Sequence, residues 1–261
     1  DVYKRQTVFS AYLYLWEERH YLWQLTLPPL VVLAILEALV QWGTISTVQT
    51  GNQMTLVDLH QSGWVAILFY FTFFLNIWIW LSYSVAWHRG YLVRGESRDV
   101  LKAYTWNGRQ VQFLWTMIKI FFFFIPVIFI VQRFLNVGTG GLFILIFCIM
   151  ACIYVYARLL LWFPAVAVDK NLNLLSLWQL SSKNGWRLVG VIAFTSLPLI
   201  ILSLPIVFII RQMGYFGHSH HSLSLALMGN LFFEFLSFLA LAASISALSI
   251  SYKFFEDNIN S

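Results

Sequence analysis

Charged residues are scarce in this chain. Of its 261 residues, 10 % are Asp, Glu, Lys or Arg and 60 % are hydrophobic, and the mean hydropathy is +0.74. A soluble domain carries about 25 % charged residues, which help to keep its surface hydrated. The composition therefore excludes an ordinary soluble domain and predicts an integral membrane protein.

Cysteine is scarcer still, since the sequence has Cys148 and Cys152 and no others. They lie four residues apart within one apolar segment, so a helix would place both thiols on one face. Thiols in such a setting usually pack as small apolar side chains. The spacing therefore indicates inert packing rather than a disulfide or a metal pair.

Recognisable catalytic motifs are missing as well. The sequence contains no nucleophile elbow, phosphate-binding loop or dinucleotide fingerprint. We therefore expect no enzyme activity and no cofactor. The net charge of +5 does not indicate nucleic-acid binding, because the basic and aromatic residues interleave at the ends of apolar segments.

Long apolar segments dominate what the sequence does contain. A bilayer core about 30 Å thick takes roughly 20 apolar residues per helix. We predict an all-α bundle of six transmembrane helices over residues 21–252, with spans at about 21–42, 63–87, 110–132, 138–161, 188–210 and 229–251. Residues 1–20 are then an N-terminal cytoplasmic segment and residues 253–261 a cytoplasmic tail. The opening letters DVYKRQ resemble a translated adapter or assembly remnant, so they are left out of the fold prediction.

Basic residues lie almost wholly on one side of these spans. With the N-terminus inside, the outside loops hold only Arg133 and Arg211, and residues 41–65 contain no Lys or Arg. Cytoplasmic loops of membrane proteins are enriched in Lys and Arg. Both termini are therefore predicted to lie in the cytoplasm.

Two inside loops carry short amphipathic patterns. In residues 171–184, Leu174, Leu175 and Trp178 fall on one face of a helix, which is typical of an interfacial helix. Residues 97–108 form a more charged version. Each loop ends in Asn-Gly before a basic residue, as in Asn184-Gly185-Trp186-Arg187. This match indicates that the chain contains two parallel repeats of a hairpin followed by a surface helix. The alternative is that Asn-Gly simply ends each surface helix.

Five polar residues fall inside the predicted spans, where lipid normally excludes them. They are Glu37, Asn76, Lys119, Arg158 and Glu234. In one interpretation Lys119 pairs with Glu234 or Glu37 in a polar pathway or buried site. In the other, Lys119 and Arg158 extend towards the inner headgroups, while the glutamates reach outer headgroups or stay protonated. The second is favoured for Arg158, and Asn76 is expected to make an interhelical hydrogen bond.

Three histidines cluster in the outer loop before the last span, as His218, His220 and His221. Imidazole is a good ligand for zinc, copper and nickel. Their spacing matches no established zinc pattern, so they are weak metal candidates, and a solvated polar loop is the favoured interpretation.

The second half of the chain resembles a known family. The stretch ARLLLWFPAVAVDKNLNLLSLWQLSSKNGWRLVGVIAFTSLPLI is similar to a widespread group of poorly characterised bacterial inner-membrane proteins. Their six-span domain also occurs as the membrane domain of glycerophosphodiester phosphodiesterases. The matching positions are Arg158, Pro164, Asp169, Ser176, Trp178, Asn184, Trp186 and Arg187. The resemblance implies a multi-pass protein of the bacterial inner membrane, and the hydrolase activity is not carried over because the catalytic barrel is absent.

These features predict a non-enzymatic accessory or interaction module that handles lipid or organises a partner. Its expected partners are the lipid bilayer and a membrane protein or second copy of the chain, with no nucleic acid. The alternative is a small-solute transporter or channel that uses Glu37, Lys119 and Glu234. A metal enzyme built on the outer histidines is a third and weaker hypothesis.

Overall fold

The structure is a computed structural model, and it describes residues 2–48, 63–93, 95, 98–134, 138–170, 172–182, 184–212 and 223–260. Every regular element in these ranges is an α-helix. In chain order they are α1 (Val2–Glu17), α2 (Arg19–Val48), α3 (Gly63–Leu92), α4 (Val100–Ala103), α5 (Gly108–Phe134), α6 (Gly138–Leu159), α7 (Trp162–Ala167), α8 (Leu174–Leu180), α9 (Gly185–Gln212) and α10 (Leu223–Asn260).

Six segments of the described chain are long and apolar enough to cross a bilayer. They are Arg19–Gly43 in α2, Gly63–Leu92 in α3, Gly108–Phe129 in α5, Phe143–Ala167 through α6 and α7, Gly185–Phe208 in α9 and Ala226–Asp257 in α10. The prediction of an all-α, six-span bundle is therefore confirmed, and the chain is a multi-pass membrane protein.

Helical structure extends beyond the predicted spans at both ends of the chain. The predicted N-terminal segment is largely α1, which buries Thr7, Ala11 and Leu15. These side chains recur every four residues, so they form one face, and α1 packs against α9 and α10. The predicted C-terminal tail is the last part of α10, because neither Gly nor Pro occurs between Asn230 and Asn260 to interrupt the helix.

Helix α10 is the centre of the bundle and contacts α1, α2, α3, α7, α8 and α9. Phe238, which is fully buried, packs against Tyr83 of α3 with ring centroids 5.1 Å apart. Beyond Phe238 much of the buried face consists of small side chains, which let neighbouring helices approach closely. They are Ala242, Ala243, Ser246, Ala247, Ser249 and Ser251, each no more than 1 % exposed.

Large apolar side chains cover the outer faces of α5 and α6. Phe121, Phe122, Phe143 and Phe147 are each more than 60 % exposed. A patch of this kind in water would promote association, whereas acyl chains are as apolar as the rings themselves. This surface therefore suits contact with lipid.

Short helices form in both loops where surface helices are predicted. Helix α4 begins after Asp99, whose carboxylate accepts a hydrogen bond from Leu101 N at 3.0 Å. Helix α8 begins after Asn173, whose side chain accepts from Ser176 N at 2.7 Å. Both residues satisfy backbone donors at the start of a helix. Each helix is shorter than its loop and presents exposed leucines, such as Leu101 at 82 %.

Candidate functional site

Lys119 does not reach either glutamate. Its Nζ atom lies 5.5 Å from the ring centroid of Trp162 and 5.9 Å from that of Trp115. Aromatic rings attract a cation in this range, and Lys119 has no ion pair among the described residues. The interpretation that pairs it with Glu234 or Glu37 is therefore wrong. Helix α5 packs on α3, α6 and α7, which keeps Lys119 beside the indoles.

The two intramembrane glutamates instead face each other. Glu37 of α2 and Glu234 of α10 are within hydrogen-bonding distance through their carboxyl groups. Helices α2 and α10 form the most extensive helix pair in the described structure, and Glu234 is 8 % exposed. Its Oε2 atom finds no donor among the described residues. The structure thus brings together a buried and a partly buried carboxyl group, a pair that the sequence pattern alone did not predict.

A cavity of about 320 Å³ lies beside this pair, between α2 and α3. Its wall includes Glu37 and Gln41 of α2, and Phe69, Thr72, Phe73 and Asn76 of α3. Asn76 therefore lines a cavity, and the interhelical hydrogen bond predicted for it is not formed within the described part of the chain. The cavity combines apolar walls with a few polar groups, which is typical of small-molecule sites.

Arg158 is buried under α8 and is only 3 % exposed. Its Nε donates to Ser181 Oγ at 2.8 Å, its Nη1 to the Tyr154 hydroxyl at 3.2 Å, and its Nη2 to the Trp178 carbonyl oxygen. The guanidinium carbon also lies 3.5 Å from the centroid of the Trp178 ring. The expectation that Arg158 extends to the headgroups is wrong, because α8 lies across the end of α6 and supplies these partners.

The predicted interfacial residues divide into two groups. Leu174 and Leu175 are exposed, by 46 % and 67 %, as an interfacial face requires. Trp178, predicted on the same face, is also exposed, by 38 %, and its ring stacks on the Arg158 guanidinium. In the next turn, Asn184 accepts a hydrogen bond from Arg187 at 3.1 Å, and Trp186 packs 5.0 Å from the Tyr154 ring.

Gly185 is required by close packing. A Cβ atom there would lie 2.4 Å from the Tyr154 ring, whereas a Cβ at Gly108 would meet nothing within 4 Å. The two Asn-Gly sequences are therefore not equivalent in three dimensions. This difference weakens the repeat hypothesis and gives Gly185 a packing role beyond ending a turn.

Asp169 joins two arginines at the end of the bundle that carries α4 and α8. Arg109 Nε donates to its Oδ1 at 2.8 Å, and Arg89 Nη1 donates to its Oδ2 at 3.1 Å. Arg109's hydrogen bond, followed by the charges of Arg109 and Arg89, lowers the pKa of Asp169 despite an opposing effect of burial. Its φ angle of 62° is left-handed backbone, which Asp and Asn tolerate better than most residues.

A small basic pocket of about 60 Å³ opens beside this link. Arg89, Lys102, Asn107 and Arg109 contribute to its wall. Arg109 uses only Nε on Asp169, so its two Nη groups have no hydrogen-bond acceptor in the described ranges. Lys102 has a loose ion pair, with Nζ 3.9 Å from Asp99. In the sequence these cations indicate only the orientation of the chain, and nothing in their spacing predicts that they converge.

Two further polar contacts join α3 to α10. Trp87 Nε1 donates to Ser246 Oγ at 2.8 Å, and His88 Nδ1 lies 2.7 Å from Ser249 Oγ. His88 is 1 % exposed. The sequence carries no signal for this contact, because a lone histidine near the end of an apolar run forms no pattern.

The outer histidines lie outside the described residues, so the structure does not place His218, His220 or His221. Within the ranges that are described, no group of three or more His, Cys, Asp or Glu side chains could hold a metal ion. Cys148 and Cys152 are free thiols.

Replacing Arg158 with Lys should release α8 from α6. Lys keeps the charge but loses the fork of donors and the planar stacking, at a cost of about 2 kcal/mol. We expect the amides of residues 174–182 to exchange hydrogen more than tenfold faster. Arg187→Lys is the matched control, because Arg187 is exposed and its side chain bonds only to Asn184 among the described residues. Equal exchange in both variants would show that Arg158 does not anchor α8.

The Asp169 link should respond to acid. Because the pKa is lowered on folding, its stabilisation is present above about pH 4, near the ordinary Asp value, and is lost as pH falls through the folded value. Asp169→Asn should remove this part of the pH dependence while keeping the left-handed backbone. Asp169→Ala should cost about 1 kcal/mol more because of that backbone. Unfolding at pH 3 and pH 7 measures both effects, and an identical pH dependence in wild type and Asp169→Asn would refute the link.

No family model, curated protein or solved structure matches this chain. The functional assignment therefore depends on the chemistry of the two sites in the structure, which are the basic pocket at one end of the bundle and the carboxyl pair with its cavity.

Proposed function

We propose that this protein is a non-enzymatic accessory module of the bacterial inner membrane that binds an anionic lipid headgroup in its basic pocket. The observation that carries the proposal is the convergence of Arg89, Lys102 and Arg109 on one small cavity. Basic pockets between transmembrane helices are suited to anionic headgroups. The family resemblance and the cytoplasmic placement of both termini remain predictions within this proposal.

Hydrogen-bond donors in this pocket that have few acceptors support the proposal that it binds an anion. The Nη groups of Arg109 have no acceptor among the described residues, and the Lys102 side chain is 73 % exposed beside its distant partner Asp99. Arginine suits phosphate because its planar fork can donate two parallel hydrogen bonds. One phosphate group could therefore use donors that the protein leaves open.

The surroundings of the pocket favour a lipid over a dissolved anion. Leu101 and Trp106, on either side of the pocket residue Lys102 in the chain, are 82 % and 50 % exposed. Indole rings and apolar side chains at this position suit the boundary between headgroups and acyl chains. A headgroup bound here would keep its own acyl chains next to these side chains.

The alternative function is a small-solute transporter or channel built on Glu37, Lys119 and Glu234. The structure separates one of these three residues, Lys119, from the other two. Lys119 rests on Trp115 and Trp162, so the three side chains do not form one polar pathway. We therefore keep the accessory module as the proposed function. The bilayer is its partner, and a membrane protein or second copy stays a prediction.

Phosphatidylglycerol added to the protein in maltoside micelles should raise its melting temperature relative to phosphatidylcholine. A ligand at about 100 times its Kd adds about 2.7 kcal/mol, which corresponds to a rise of about 5 °C for a chain of this size. Lys102→Gln should lose more than half of this rise. Lys253→Gln is the control, because Lys253 is an exposed lysine that does not line the pocket.

Inorganic phosphate separates a lipid from a soluble anion. If phosphate alone protects wild type as strongly as phosphatidylglycerol, the pocket binds a dissolved anion and the lipid proposal is wrong. An equal rise in the Lys102→Gln and Lys253→Gln variants would instead remove the pocket from the binding site.

A further inference from the structure

The carboxyl pair has no role in the lipid proposal. A hydrogen bond between Glu37 and Glu234 needs at least one proton between the two groups, so the pair carries at most one negative charge. Neither carboxylate has an ion pair with Lys or Arg in the part of the chain that is described. A buried charge without a counter-ion is costly in an apolar medium, so a cation from outside the chain would stabilise the singly ionised form of the pair.

The position of this charge relative to the cavity defines where a ligand would sit. Glu37 belongs to the cavity wall, and Glu234 lies behind it with its Oε2 buried and without a donor among the described residues. The pair therefore lies at one side of an open cavity rather than in a sealed core. Thr72 and Asn76 add polar groups to the same wall.

The size and lining of the cavity decide what kind of cation fits. A volume of about 320 Å³ is at the lower end of the range for small-molecule sites, about 300–1,000 Å³. A bare metal ion is far smaller and prefers about six or more oxygen ligands. Phe69 and Phe73, one helical turn apart on α3, form an aromatic side of the cavity, and aromatic faces attract organic cations.

We propose that the cavity between α2 and α3 binds a monovalent organic cation, an amine or quaternary ammonium with apolar substituents. Its charge lies against the Glu37–Glu234 pair, and its apolar part lies against Phe69 and Phe73. The site is independent of the basic pocket and of the proposed lipid binding, because the two share no wall residue.

Benzyltrimethylammonium is a suitable probe, since it carries one positive charge and one phenyl ring. The radiolabelled probe should bind the full chain saturably in maltoside micelles, which contain no competing ammonium group. Neopentylbenzene, the uncharged compound in which carbon replaces nitrogen, should not displace it. Displacement at equal concentration would show that the charge is not recognised and would overturn the proposal.

Two variants test the two parts of the site. Glu37→Gln with Glu234→Gln should weaken probe binding at least about tenfold, a loss of about 1.4 kcal/mol. Both residues are changed because one remaining carboxylate still carries the charge. Phe73→Leu should weaken binding about fivefold through the lost ring. Phe74→Leu, which replaces an exposed ring of the same helix outside the cavity, and Glu17→Gln are the matched controls.

Several results would contradict the site. The proposal is overturned if wild type does not bind the probe saturably. It is also overturned if the Phe73→Leu variant binds the probe with the same affinity as the Phe74→Leu variant. If wild type binds sodium but not the ammonium probe, and the double glutamine variant no longer binds sodium, the site is a metal site instead. If the double variant does not fold, two measurements still decide the test. One compares probe binding by Phe73→Leu and Phe74→Leu, and the other asks whether neopentylbenzene displaces the probe from wild type.

Discussion

An apolar bilayer leaves an intramembrane polar side chain few partners other than those inside the bundle, and most of this structure depends on how α10 meets that constraint. Glu234 faces Glu37, Ser246 accepts from Trp87, and Ser249 bonds with His88. The small side chains on the buried face of α10 bring α2 and α3 close enough for these contacts. The central position of α10 is thus a consequence of both its small residues and its polar ones.

The two halves of the bundle use charge in different ways. At the end with the short helices, cations are held by the protein: Arg158 anchors α8, and Asp169 links Arg89 to Arg109. In the region of the glutamates the ionisable groups are acidic, and a cavity lies beside them. The lipid headgroup proposed for the basic pocket and the organic cation proposed for the carboxyl pair complement these two sites.

Hydropathy was sufficient to predict the six spans, because bilayer thickness sets the length of each apolar run. It could not predict which helices are neighbours. Lys119 has a plausible depth for pairing with Glu234, yet α5 packs against α3, α6 and α7, and the lysine lies on tryptophan rings.

Because hydropathy does not predict which helices are neighbours, it also could not predict the Glu37–Glu234 pair or the basic pocket. Arg158 was misread because the partner helix α8 is short and its position depends on tertiary contacts.

A pair of double-mutant cycles tests most directly whether intramembrane polar groups find partners within the bundle as described. The free energy of unfolding in micelles would be measured for Glu37→Leu, Glu234→Leu and the double variant, and again with Lys119→Met in place of Glu37→Leu. We expect a coupling energy of about 1–3 kcal/mol between Glu37 and Glu234, because either single change leaves the other carboxyl group buried without its partner. Lys119 and Glu234 should be additive within about 0.5 kcal/mol. Additivity of the two glutamates, together with coupling between Lys119 and Glu234, would contradict the arrangement.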